Sequence, residues 1–355
     1  MQKKLLTAFD EDVASIVQRG LRWDELSGCQ VVVTGAGGFL GGYLARTLLA
    51  LNTSGVVARP ISVLAMVRNV DRARERFSDF VTDPNFRLLA WDLNAIGVPD
   101  LGKSQYVLHA ASQASPRFYG SDPVGTLMPN TVGTAALLEA LRRGGDPRGF
   151  LFVSSSEVYG AVSADTSLRE TEYGVVDPAT VRACYAESKR LGESMCVAWH
   201  RQHAVPTFIV RPFHTYGPGL QPQDGRVFAD FAFNVVRGEN IVMNSDGSAR
   251  RAFCYVTDAI AGFFSVLFGG TAAQPYNVAN PAGELSVMEL AQLLVGLFPE
   301  KNLSVERRFQ AGGSGYLSSA YNRLIPNVER LESLGWRAQV GPADGFRRMI
   351  EAHQA

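Results

Sequence analysis

Val31-Val32-Val33-Thr34-Gly35-Ala36-Gly37-Gly38-Phe39-Leu40-Gly41 sets an apolar, β-branched run against a glycine turn and then opens a helical stretch, Tyr43 to Leu51. Three consecutive valines favour a strand, and glycine directly after a strand permits a reversal that a side chain would forbid. Gly35 can take the positive φ of the tight turn, Gly38 lets a bound group approach the backbone, and Gly41 lets the helix lie close on the sheet. The free N–H groups and positive dipole of the helix start then face an anion in the turn. The segment reads as the pyrophosphate cradle of a dinucleotide site, with Gly35, Gly38, Phe39, Leu40 and Gly41 as its contact residues.

Outward from this turn, strand-like runs recur at 61–67, 86–91, 106–110, 150–154 and 207–210, alternating with helical stretches. That alternation predicts an α/β fold, a Rossmann-type doubly wound parallel sheet, over residues 28–211. Ahead of it, Val13, Ile16, Val17 and Leu21 share a helical stripe between residues 10 and 26, which predicts an N-terminal helical extension over 1–27. Beyond 212 the pattern breaks into shorter pieces rich in Gly and Pro. A smaller C-terminal α/β substrate lobe is expected over 212–355, with the chain free to cross back to the sheet. Gln310 to Asn322, rich in Gly, Ser and Tyr, reads as a surface loop, with a mobile loop over the site as the alternative. No internal repeat is visible.

The 355 residues are 46% hydrophobic, enough for a sizeable core. Lys plus Arg and Asp plus Glu each number 34, so no net charge favours a polyanion, and nucleic acid is not an expected partner. Cys29, Cys184, Cys196 and Cys254 are scattered without metal-ligand spacing, as suits reduced thiols and a cytoplasmic location. Met1 to Leu26 carries charges throughout, and no apolar span reaches about 20 residues, so neither export nor membrane insertion is expected. His200 and His203 have no visible third ligand, and no metal is expected. Phe231, Phe233, Phe263 and Phe264 read as core.

Tyr185-Ala186-Glu187-Ser188-Lys189 places a phenol and an ammonium at i and i+4, on one face of a helix predicted over about 182–203. A phenol titrates at about 10, and a neighbouring cation together with a positive nicotinamide ring would draw Tyr185 towards service as a base. The strand at 150–154 ends in Ser154-Ser155-Ser156-Glu157, which delivers hydroxyls to the sheet edge where the nicotinamide would lie. Ser155 could then bond the same substrate oxygen as Tyr185. Cys184 reads as a buried small residue, since no base is identifiable for it.

These motifs, together with Asp92-Leu93, His109-Ala110-Ala111-Ser112, Asn130-Thr131-Val132-Gly133-Thr134 and Arg211-Pro212-Phe213-His214-Thr215-Tyr216-Gly217-Pro218, resemble the extended short-chain dehydrogenase/reductases that modify nucleotide sugars. The resemblance covers nearly all of 28–352. It implies a resident nicotinamide that takes hydride from the sugar 4-position and later returns it. Tyr185 would take the hydroxyl proton, Lys189 would hold the nicotinamide ribose, and Ser155 would orient the substrate. Arg68, Asp92, Leu93, Ala110, Ala111, Ser112, Asn130 and His214 would complete the cofactor contacts. The helices at 123–143 and 182–203 resemble those that pair across a two-fold axis in the family, so a homodimer is implied.

Dehydratases of the family follow the hydroxyl residue with Asp then Glu, whereas this chain has Ser156 then Glu157, as the UDP-glucuronate decarboxylases do. Ser112 to Tyr119 resembles their carboxylate loop, with Ser115 and Arg117 as substrate contacts beside Ser156, and Gly247 to Phe253 resembles the segment carrying their active-site arginine, here Arg251. The resemblance implies oxidation at the 4-position, loss of carbon dioxide from the β-keto acid and return of hydride, with Glu157 and Arg251 serving the intermediate. A 4-epimerase and then a 4,6-dehydratase are the alternatives within the class, and a non-catalytic dinucleotide-binding regulator is the alternative outside it. Arg226 is a further substrate candidate, and Arg251 could equally clamp a diphosphate. His214 and Arg117 depart from the family's residues at their positions. Arg68 stands at the end of the second strand where an NAD enzyme presents a carboxylate, so NAD is the expected cofactor and NADP the alternative.

Overall fold

The computed structural model describes residues 2–162, 167–308 and 323–354. The first six strands of the large sheet are, in chain order, β1 (Gln30–Thr34), β2 (Ser62–Val67), β3 (Phe86–Ala90), β4 (Tyr106–His109), β5 (Gly149–Val153) and β6 (Thr207–Pro212). The principal helices are α1 (Gln2–Val17), α2 (Phe39–Ser54), α3 (Pro123–Asn130), α4 (Val132–Arg143), α5 (Ala183–His203), α6 (Val227–Arg237), α7 (Val256–Gly269) and α8 (Pro342–His353). Past β6 come β7 (His214–Tyr216), β8 (Arg250–Tyr255), β9 (Pro275–Val278) and β10 (Glu284–Ser286). The large sheet runs β3-β2-β1-β4-β5-β6-β9 with every neighbouring pair parallel. The order reverses between β1 and β4, which opens a crevice at their carboxyl ends.

The unbroken valines of β1 are explained by burial on both faces. Val31 and Val33 join the core that includes α2 and α7, while Val32 points the other way, into the core shared with Leu137 and Leu141 of α4 and Cys196 of α5. Phe231, Phe233, Phe263 and Phe264 are buried in the first of these cores.

The C-terminal part of the chain divides its work. β9 completes the large sheet and α7 covers one of its faces, whereas β7, β8 and β10 form a separate three-stranded sheet. The N-terminal helix begins earlier than its apolar stripe suggested and stops at Val17, with Leu21 in the connection to a short turn at Trp23–Leu26. It buries Phe9, Val13 and Ile16. Asp12 in its middle accepts hydrogen bonds from Tyr43 of α2 at 2.8 Å, Tyr255 of β8 at 2.9 Å and Arg348 of α8 at 2.8 Å. Among the described residues no helix is long and apolar enough to cross a membrane, and no group of His, Cys, Asp and Glu is placed to hold a metal ion. Gln310 to Asn322 lie outside the described residues.

Candidate active site

A cavity of about 1100 Å³ lies over the crevice. It exceeds the range of roughly 300–1,000 Å³ usual for one small ligand, so it has room for a dinucleotide and a second molecule. Its floor is the glycine turn. Gly35 has φ of 65°, and a Cβ there would lie 2.8 Å from the Ala111 Cα. Gly38 N–H donates to the Gly35 carbonyl at 2.8 Å, which closes the turn. A Cβ on Gly41 would overlap that same carbonyl, with its carbon at 2.6 Å. Gly41 therefore clears the turn itself, not the sheet, as α2 starts over it.

The adjoining wall, Ala110, Ala111 and Ser112, is held by a buried relay. Ala111 N–H donates to Thr34 Oγ1 at 3.1 Å, Thr34 Oγ1 lies 2.8 Å from His109 Nδ1, and His109 Nε2 lies 3.1 Å from the Pro129 carbonyl. Burial, with the Lys189 charge assisting, drives the His109 pKa down to about 3. The neutral ring thus donates from Nε2 to Pro129 and accepts from Thr34 at Nδ1.

Ser155, at the end of β5, accepts the Glu157 N–H at 3.2 Å and so starts the short turn Ser156–Tyr159. Its base is braced by the buried Arg211–Glu193 pair at 2.6 Å, to which Ser154 also donates. Tyr185 and Lys189 rise from the first turns of α5, and both are buried. Lys189 Nζ donates to the Val153 carbonyl at 2.6 Å and stands 5.8 Å from the centre of the Tyr185 ring. Burial lowers its pKa to about 7. Burial also raises the Tyr185 phenol to about 12; a hydrogen bond with Ser155 opposes the rise, Glu157 adds to it, and Arg226 and Arg182 oppose it. In the chain alone burial thus dominates the phenol, and the Lys189 Nζ is turned to a carbonyl.

Glu157 is paired with Arg182 at 2.8 Å, and Arg182 lies 4.9 Å from the centre of the Tyr119 ring. Tyr119 stacks on Tyr185, with centroids 5.0 Å apart and planes 14° from parallel. On β8 the alternation of the strand separates two neighbours: Arg250 turns to Glu284 and Glu289, while Arg251 lines the cavity. Arg226, at the start of α6, also lines it and is paired with Asp224. His214 Nδ1 is buried without a hydrogen-bond partner, and burial, with Arg251 and Arg226 nearby, holds its ring neutral.

Tyr185, Lys189, Ser155, Glu157, Arg251, Ser115, Ser156, Arg226, His214, Arg68, Asp92 and Leu93 are all part of the cavity wall. Two expected residues are not. Asn130 lies behind it, donating to Thr126 O and Ser188 Oγ and thereby tying α3 to α5. Arg117 reaches out to the Gln223 carbonyl at 2.6 Å, and Ser115 donates to the Asp224 carbonyl, so the two loops are laced together. The reading from sequence gave no role to Tyr119, Arg182, Asp224 or His109. Arg182 was legible, since it precedes Tyr185 by one helical turn; the stack of Tyr119 carries no such signal.

The wall fits a dinucleotide. Ser112 Oγ, Asn94 Oδ1 and Trp91 Nε1 are buried there without hydrogen-bond partners, beside a turn that side chains would fill. The profile described as the "NAD dependent epimerase/dehydratase family" matches residues 31–279. The chain belongs to that family. Within similar proteins, UDP-glucuronic acid decarboxylase 3 of Arabidopsis thaliana is 31% identical over 323 residues, 91% of this chain and 88% of that one. UDP-glucuronic acid decarboxylase 6 of the same plant is 33% identical over 327 residues, 92% and 89% of the two chains. Among solved structures, dTDP-glucose 4,6-dehydratase from Streptomyces venezuelae with NAD bound gives a TM-score of 0.75 at 25% identity, covering 91% of this chain and 96% of that one. UDP-glucuronic acid 4-epimerase from Bacillus cereus, in complex with UDP-glucuronic acid and NAD, gives 0.73 at 21%, covering 91% and 98%, a likeness of fold.

Proposed function

We propose that this member of the epimerase/dehydratase family is an NAD-dependent nucleotide-sugar enzyme of the UDP-glucuronate decarboxylase type. The observation that carries the reading is a carboxylate at Glu157, held by Arg182, in one wall with Ser155, Tyr185, Lys189 and Arg251. The similarity to decarboxylases over nine-tenths of the chain supports it. Gly35, Gly38 and the start of α2 cradle the pyrophosphate, with Ser112 and Lys189 along the nicotinamide half. Bound NAD supplies a reversible hydride acceptor, which leaves the overall reaction redox-neutral.

Tyr185 takes the proton of the sugar 4-hydroxyl while Ser155 orients that oxygen. With a ketone at C4, the bond from C5 to the carboxylate is β to a carbonyl, so its electrons pass into the ketone as carbon dioxide leaves. Arg251 and Arg182 hold the anionic groups, and Glu157 governs the proton that returns to C5. Exposed Val124 on α3 and Leu191 and Val197 on α5 support pairing of these helices in a homodimer. Four buried, unpaired cysteines support a cytoplasmic location.

Incubation with UDP-, dTDP-, GDP- and CDP-sugars, including UDP-glucuronate, followed by mass spectrometry tests the reading. Loss of the mass of carbon dioxide from UDP-glucuronate is the expected result. An isobaric product instead would make the chain an epimerase and reduce Glu157 and Arg251 to binding roles.

A further inference from the structure

The adenosine end of the cavity is charged in the opposite sense to an NAD site. At the carboxyl end of β2, where a carboxylate would take the ribose hydroxyls, the chain reads Arg68-Asn69-Val70-Asp71-Arg72. Arg68, Asn69 and Arg72 line the cavity next to Gly37 and Gly38. Asp71, the carboxylate in that run, is outside the wall and faces Arg74 at 3.7 Å. Asn69 is spent as a helix cap: its side chain accepts the Arg72 N–H at 2.9 Å, which fixes Arg72 one turn beyond Arg68. Among the described residues neither the Arg68 nor the Arg72 guanidinium forms an ion pair. Asp122, whose charge Arg68 feels, is already committed to Gln113 and to the Gly125 N–H. Asp92 remains in the wall, with one carboxylate oxygen accepting the Asn94 N–H at 3.0 Å.

Two guanidinium groups on one wall without a paired carboxylate suit a phosphate monoester, which accepts fork-like donors that a ribose hydroxyl cannot satisfy. We propose that Arg68 and Arg72 form a 2′-phosphate site, so that this chain takes a 2′-phosphorylated nicotinamide dinucleotide at least as tightly as NAD. The inference rests on the dinucleotide reading of the glycine turn. Both side chains are exposed, so their replacement is expected to leave the fold intact.

Calorimetric titration of the full chain with NAD⁺ and NADP⁺ tests it. The expected result is NADP⁺ binding no weaker than NAD⁺ and more sensitive to salt. Arg68→Ala combined with Arg72→Ala is expected to weaken NADP⁺ about tenfold or more while changing NAD⁺ less than about threefold. NAD⁺ binding tighter than NADP⁺, or equal weakening of both in the double variant, would overturn the 2′-phosphate site and leave the dinucleotide reading standing. Binding of neither would overturn both.

Discussion

At the scale of single residues, the site is governed by what burial does to a phenol and an amine four residues apart. Tyr185 is pushed up to about 12, so it keeps its proton until a cation beside it offsets burial. Tyr185→Phe is expected to bind dinucleotide as the parent does and to lose about 10²-fold or more in turnover; paired titration and rate measurements check both halves. Lys189 is depressed from 10.5 to about 7. Between those pH values the unfolded chain holds a proton that the folded chain lacks, so raising the pH favours the fold across that window. Below it both states are charged and the burial cost is met in full, and above it both are neutral. Urea midpoints should therefore rise from about pH 7 to about pH 9.5 in the parent, and rise less in Lys189→Met. An identical slope in both would show that Lys189 does not titrate in this range.

At the scale of elements, the glycine turn is where local sequence and tertiary packing agree most closely. Gly41→Ala would drive a methyl into the Gly35 carbonyl, which has no freedom to retreat because Gly38 N–H is bonded to it. We expect a loss of about 3 kcal/mol and a matching fall in dinucleotide affinity, while Gly37→Ala, whose nearest neighbour would be 4.0 Å away, keeps the melting temperature of the parent. Legibility in the sequence follows the same logic. The inner strands of the large sheet up to β6 were readable because burial on both faces writes continuous apolar runs, the edge strand β3 by its short apolar run alone, and Tyr185 with Lys189 because helical spacing fixes their shared face. β9 was not, since four residues, Pro275 to Val278, carry too little pattern to declare a return to the sheet. Arg117 and Asn130 lie outside the cavity wall for a related reason: each side chain takes its direction from the segment opposite, here the Gln223 carbonyl and Ser188, which local sequence does not reveal. The Glu157–Arg182 pair joins two such segments, of which the sequence showed one half.

At the scale of the whole molecule, the first and last described helices hold each other through Asp12, a buried carboxylate that serves two phenols and Arg348 at once. Asp12→Ala leaves all three donors without their acceptor and is expected to cost about 3 kcal/mol, whereas Glu11→Ala, an exposed partner of the same arginine, should cost less than about 1 kcal/mol. Chemical denaturation of the two variants distinguishes them, and equal midpoints would mean that the network is dispensable. The joining of residue 12 to residue 348 also has a consequence for biosynthesis. α1 is made before α8, so its carboxylate has no complete set of partners until α8 follows, and Phe346 stacks on Tyr216 only then. α1 can meet α2 as soon as both are made, yet the part of its surface that faces α8 stays uncovered through the synthesis of everything between them, and that stretch is open to chaperone engagement until α8 arrives.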